Sequence, residues 1–317
     1  MEFVGLRPTQ EKRRPKNPRS PTVIVRDSLS LTTWLCLGAV LQSAAFLSVG
    51  RLAFLPATAY LVYRAGEAYA MATGLMRNPY MDNVVMEKHS AQFPDPVTGR
   101  YGSTPGNSDV TLLIIGARSN HPYGLIAPGF KALGDHMSGM IEQLQENPID
   151  HGFLGASSFL GQQRSTKNTI MSIMYFKSAA DVHAFAESPV HRDAVTWWNR
   201  IVGAHPHLTI FHELYQVPKG NWESIYMQSA PIGVADTMHH VCDPAATESV
   251  LSEKTPLVAA TVARESALEE ARTGVASAPT AAAGAQDGAG VWMSPIVDAR
   301  RGILKDSAGR MGLRTKH

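Results

Sequence analysis

Between His207 and Val217 the chain reads HLTIFHELYQV, a run of β-branched and aromatic residues that also carries two histidines, a glutamate and a tyrosine. In an extended strand successive side chains point to opposite faces. His207, Thr209, Phe211, Glu213 and Tyr215 therefore share one face, and Leu208, Ile210, His212 and Leu214 the other. The second face suits packing on helices, which leaves the first to line a pocket. Glu213 and Tyr215 would project the same way, roughly 7 Å apart along the strand. A carboxylate in a mostly apolar pocket has its pKa raised and becomes a proton acceptor near neutral pH. The competing expectation is that Glu213 simply pairs with Arg192 or Lys167.

Other residues of chemical interest precede this strand. His191 stands four, seven and eleven residues before Val195, Trp198 and Val202, which puts it on the predicted inward stripe of a helix. There it is a candidate proton acceptor or a hydrogen-bonded core residue. Trp197 and Trp198 are adjacent and cannot both face inward, so one is expected at a pocket mouth or interface and the other in the core. His136 borders the apolar stripe of an earlier helix. Glu213, His191, His207 and Tyr215 are thus the catalytic candidates, with Trp197, Trp198, Phe211 and His136 as candidates for holding a substrate. His205 and His207 flank Pro206, but no third ligand stands at a spacing characteristic of metal sites, so no metal is expected. No GxGxxG, GxxxxGK[ST], HExxH or GxSxG occurs, so a Rossmann-bound flavin or nicotinamide is unsupported.

The elements that must position these residues are legible. Val110–Ala117, VTLLIIGA, reads as a strand buried on both faces. Phe130–Glu146 has apolar residues at helical spacing, with Gly134 and Gly139 suggesting close backbone approach. Strands are expected at Phe153–Phe159 and Thr169–Phe176. Ser178 with Asp181 gives a capping pattern, and Ser188-Pro189 starts a second helix. Leu208–Val217 closes the series. The order βαββαβ is ferredoxin-like, with helices on one face of the sheet. The other face needs cover, and pairing with a second copy supplies it, so a homodimer is expected. Trp222–Gln228 is a short segment that could reach across to that partner.

Around this unit, from 109 to 230, the chain divides by composition. Residues 1–29 are rich in Pro, Arg and Lys and are expected to be a disordered basic tail. Leu31–Gly50 is uncharged throughout, about the length that spans the hydrocarbon core of a bilayer. Leu52–Tyr63 is a second, shorter apolar run. Residues 30–76 are therefore expected to be a membrane segment of one or two helices. Two passes would return the main domain to the cytosol, on an endomembrane such as the endoplasmic reticulum. Residues 77–108, rich in Pro and Gly, are expected to be a linker. Residues 245–317 are expected to be a largely disordered Ala/Gly-rich tail. A net charge of +2, with the positive residues gathered at the two ends, excludes nucleic acid as a partner. Two cysteines in unlike contexts give no disulfide framework.

The segments DHMSGMIEQL, HGFLGASSFLG, DVHAFAESPVHRDAVTWWN and AHPHLTIFHELYQVPKGNWESIY resemble a fungal family of monooxygenase-like proteins with a dimeric α+β barrel fold. That family also carries an amino-terminal membrane segment and is associated with secondary-metabolite pathways. The resemblance implies an oxidoreductase working on an apolar or phenolic metabolite near membrane lipid. The wider superfamily holds cofactor-independent quinol-oxidising monooxygenases and haem-binding aldoxime dehydratases, so fold alone does not fix the reaction. No cofactor is expected. A haem lyase would need a free histidine, with His191, His205 and His207 as candidates, and no haem motif supports it. A non-catalytic scaffold subunit is the third reading.

Overall fold

A computed structural model of the chain describes residues 2–13, 29–161, 169–242, 290–300 and 304–305. Helix α1, Leu31–Val49, starts at Ser30, whose hydroxyl accepts the amide of Thr33. A 3₁₀ turn over Gly50–Phe54 follows, then helix α2, Leu55–Ala72, with Pro56 in its first turn. The turn folds back on α1: the Gln42 amide donates to the Ala53 carbonyl at 3.1 Å, and the Phe46 and Phe54 rings lie 5.8 Å apart. No residue of α1 or α2 is buried. The stretch Leu31–Ala72 includes a helix long and apolar enough to cross a membrane.

Strand β1, His89–Ala91, comes next, followed by β2, Val110–Ser119. Helix α3, Phe130–Glu146, leads to β3, Phe153–Leu160, and β4, Ile170–Phe176. Helices α4, Ala179–Ala186, and α5, Pro189–Ile201, precede β5, Leu208–Val217. The sheet order β3-β4-β2-β5, antiparallel at every pairing, is the ferredoxin-like arrangement expected from the βαββαβ series. Both caps form as the sequence indicates. Ser178 accepts the Asp181 amide, and Ser188 accepts that of His191 with Pro189 in the first turn. Gly152 takes φ 56° where the chain enters β3, and a Cβ there would lie 2.4 Å from the Asp181 carboxyl carbon. Glycine is required at that close approach; at Gly134 and Gly139, where it was expected, nothing lies within 4 Å.

The helices cover one sheet face through Ile141, Leu144, Phe153, Met174, Phe176 and Phe185, all buried. Phe153 and Phe176 are fully buried and meet edge to face at 5.4 Å. Side chains of this size contribute about 1.5–3 kcal/mol each on burial, so this cluster holds the helices to the sheet. The stripe of α5 differs from expectation by one residue. Val195 and Val202 are exposed, whereas Ala194 is buried and Val190, Trp198 and Ile201 pack inward.

Three expectations about the flanking segments are corrected. The supposed linker contains β1, in which His89, Ser90 and Ala91 are fully buried. Strand β6, His239–Cys242, pairs antiparallel with β7, Gly290–Met293, and β1 pairs with β8, Ile296–Asp298, so part of the supposed tail is ordered sheet. At the amino end Phe3 is buried, Gly5 bridges Val297 and Gln10 bridges Trp292. These short strands, brought together from far apart in the chain, form a cap. The remainder of both expected tails lies outside the described residues. Within the chain, Tyr226 of the Trp222–Gln228 segment bridges His89.

Candidate functional site

The second face of the sheet is half covered. Phe93, Trp222 and Val234 pack over its Val110–Leu154–Tyr175 end. Among the described residues its other end is uncovered, and it carries the face of β5 that holds Phe211, Glu213 and Tyr215. There Phe211 stands opposite Gly116, Glu213 opposite Ile114 and Tyr215 opposite Leu112. Ile173 and Met171 of β4 continue the same rows. Gly116 admits the Phe211 ring: a Cβ at that position would fall 2.4 Å from Cζ of Phe211 and 2.8 Å from the Ile170 carbonyl oxygen. The result is an apolar floor with one carboxylate on it.

The Tyr215 hydroxyl donates to Glu213 Oε2 at 2.5 Å. This bond, with the carboxylate's charge, raises the Tyr215 pKa. Both side chains are exposed, so the described residues do not provide the apolar enclosure expected for Glu213. Arg192 makes no contact with it; Lys167 lies outside the described residues.

The remaining candidates lie elsewhere. His207 Nε2 is 2.9 Å from the Pro128 carbonyl, in the loop before α3. Its ring neighbours His121 at 5.1 Å and His205 at 5.6 Å. His205 Nδ1 in turn meets the Ile201 carbonyl at 3.1 Å. Among the described residues no group of His, Cys, Asp and Glu has metal-binding geometry. His191 is half-buried on α5, beside Phe185. Trp197 meets His136 with ring centroids 4.6 Å apart and tilted between α5 and α3, while Trp198 packs with Leu125, Phe130 and Leu208 in the core. Trp197, Trp198, His136 and His191 therefore belong to the helix layer, across the sheet from Glu213. Phe211, Glu213 and Tyr215 are brought together on the second face, and His136 and Trp197 in the helix layer.

Sequence reasoning missed His121, which stands in a loop with no periodic signal, and a cleft of about 930 Å³ at the β3 edge. Its lining includes Arg13, Glu142, Ser157, Phe159, Ile232 and Asp236. Arg13 donates to the Leu154 carbonyl at 2.8 Å and lies over the rings of Phe153 and Trp292. Burial lowers its pKa to about 10, against the opposing pull of Asp236. Ser157 accepts the Gly233 amide at 3.1 Å, which ties the cap to the strand. None of His191, His205 and His207 lines this cleft, and two of them spend a ring nitrogen on a carbonyl.

Residues 110–234, the ferredoxin-like unit with the strap over its second face, match a family described as monooxygenase af470-like. The af470-like monooxygenases are the family this domain matches. Monooxygenase af470 of Aspergillus fumigatus is 29% identical over 230 residues, covering 72% of this chain and 82% of that protein. That alignment is longer than the domain, so the likeness to af470 extends into the flanking segments. Among solved structures, an aldoxime dehydratase crystallised with butyraldoxime aligns at a TM-score of 0.34 and 15% identity, over 40% of this chain and 36% of that one. This chain thus spans about a third of that dehydratase. SnoaB, a cofactor-independent oxygenase from Streptomyces nogalater, aligns at a TM-score of 0.24 and 13% identity, over 34% of this chain and 91% of its own.

Proposed function

We propose that the protein is a membrane-associated, af470-like monooxygenase that oxidises an apolar or phenolic metabolite on the open face of its sheet. The observation that carries this reading is the Glu213–Tyr215 pair set on the apolar floor of Phe211, Ile114, Ile173 and Met171. A second copy laid on this face would exclude water and enclose the carboxylate, which is the homodimer expected of an α+β barrel. Enclosure raises the basicity of Glu213. It then takes the proton of a phenolic hydroxyl, and Tyr215 keeps the carboxylate oriented. The phenolate that forms is electron-rich enough to be attacked by dioxygen. One oxygen atom enters the ring as the second carbonyl of a quinone and the other leaves as water. The ring itself supplies the electrons, so the residues require no bound cofactor for this route. The apolar helix of Leu31–Ala72 supports association with lipid, into which such substrates partition. Placement on an endomembrane and a role in secondary metabolism are part of the same proposal. Glu213→Gln introduced into the producing organism tests it. The precursor phenol is expected to accumulate at the expense of its oxidised product, and an unchanged product profile would overturn the proposal.

A further inference from the structure

Large apolar side chains gather where the chain leaves α2. Tyr80 is 74% exposed, Met81 50%, Met86 54%, Met227 68% and Ile232 46%. They form one surface because two segments are laced together. Val85 donates to the Ser229 carbonyl at 3.0 Å and Tyr226 to that of His89 at 2.8 Å. These same two segments frame the cleft beside β3, through Asp82 and Asn83 on one side and Pro231 and Ile232 on the other.

The patch is also tied to the apolar helices. Arg64 and Glu67 pair one turn apart on α2, and the Tyr80 side chain lies near the Arg64 guanidinium. The uncharged part of α2 ends at Tyr63, immediately before this pair. Tyrosine and arginine at the end of an apolar helix favour the headgroup level of a bilayer. Tyr80, near Arg64, then stands at that same level, with Met81 and the cleft mouth directly after it. Asp82 at this mouth is paired with Arg77, and Arg7 donates to the Asn83 carbonyl beside it at 2.7 Å. The exposed Tyr80, Met81, Met86, Met227 and Ile232 give this surface an apolar reason to meet lipid.

We propose that this face rests on the bilayer and that the cleft opens onto it, admitting from lipid an apolar ligand with a hydrogen-bonding end. Ile141, Phe159 and Ile232 supply the apolar wall, and Ser157, Glu142 and Asp236 the polar groups. This inference rests on the membrane association proposed above and adds a site on the far side of β3 from Glu213.

The full-length protein in zwitterionic vesicles tests it. With Cys36→Ser and Cys242→Ser as background, an environment-sensitive fluorophore is placed by Met227→Cys or Ile232→Cys. The reference is Lys131→Cys, whose side chain is 87% exposed at the opposite end of α3 from Ile141. Nitroxide-bearing lipids are expected to quench positions 227 and 232 several-fold more than 131, with no loss on adding salt. Equal quenching at all three positions, in protein that still floats with the vesicles, would overturn the inference and leave membrane association standing. Labels shielded from lipid and crosslinking between copies would overturn it in favour of self-association. Wild-type protein that does not float with vesicles would overturn the membrane association and this inference with it.

Discussion

His239 makes the stability of the cap depend on pH. It lies in β6, 7% exposed, with Nε2 at 3.0 Å from the Thr237 hydroxyl and its ring 4.3 Å from that of Phe93. Burial, reinforced by the positive charges of Lys177 and Arg13, lowers its pKa from 6.5 to about 3. In acid the folded protein keeps this imidazole neutral while the unfolded chain protonates it. Below pH 6.5 the unfolded state therefore binds more protons, and stability falls as pH falls toward the folded pKa. The slope approaches about 1.4 kcal/mol per pH unit, so lowering the pH from ~7.5 to ~5.5 removes about 1.3 kcal/mol. Trp222, beside Phe93, and Trp292, beside His240, report the cap by fluorescence. Urea unfolding of the detergent-solubilised protein at the two pH values gives the wild-type difference. His239→Gln retains a partner for Thr237 and cannot titrate, so its pH dependence should be flatter by the same amount. Parallel pH dependences for wild type and variant would refute the reasoning.

Three further outcomes follow from the contacts. Gly116→Ala drives a methyl into the Phe211 ring and toward a backbone oxygen of β4, and is expected to cost about 1–3 kcal/mol of stability in a urea titration. Glu213→Gln removes the charged acceptor that raises the Tyr215 pKa. Difference absorption titration should then show one tyrosine ionising at lower pH than in the wild type. Arg13→Ala takes the guanidinium from the Leu154 carbonyl and from between the Phe153 and Trp292 rings, and is expected to destabilise the cap by about 1–3 kcal/mol, with a change in Trp292 emission.

The ferredoxin-like unit was legible because its strands and helices are long enough to show their periods. Val110–Ala117 could hardly be anything but a strand, although Leu112–Ile115 are only half-buried rather than enclosed on both faces, and the Ser178 and Ser188 caps marked where two helices begin. The cap was not legible. Its strands are three or four residues long and pair across the chain, His89 with Asp298 and His239 with Met293. Such pairing leaves no local pattern, and the surrounding Pro, Gly and Arg suggested linker and tail. Arg13 illustrates the loss: it reads as one more basic residue at the amino end, yet it packs between two aromatic rings. The site was legible in part. Period-2 alternation grouped Phe211, Glu213 and Tyr215 correctly, because β5 is regular along its length. It failed for His207, which precedes the strand and turns to the Pro128 carbonyl. The β-branched valines at 195 and 202 suggested a stripe, but both are exposed, whereas Ala194 is buried and Val190, Trp198 and Ile201 pack inward.

Oxygen uptake by the protein reconstituted in vesicles, with phenols of increasing apolarity and no added cofactor, tests the role of Glu213 most directly. Uptake should match quinone formation mole for mole, and Glu213→Gln should slow both by about a hundredfold or more, the scale of a lost general base. Turnover by Glu213→Gln equal to that of the wild type would contradict the account and remove the open face of the sheet as its active site.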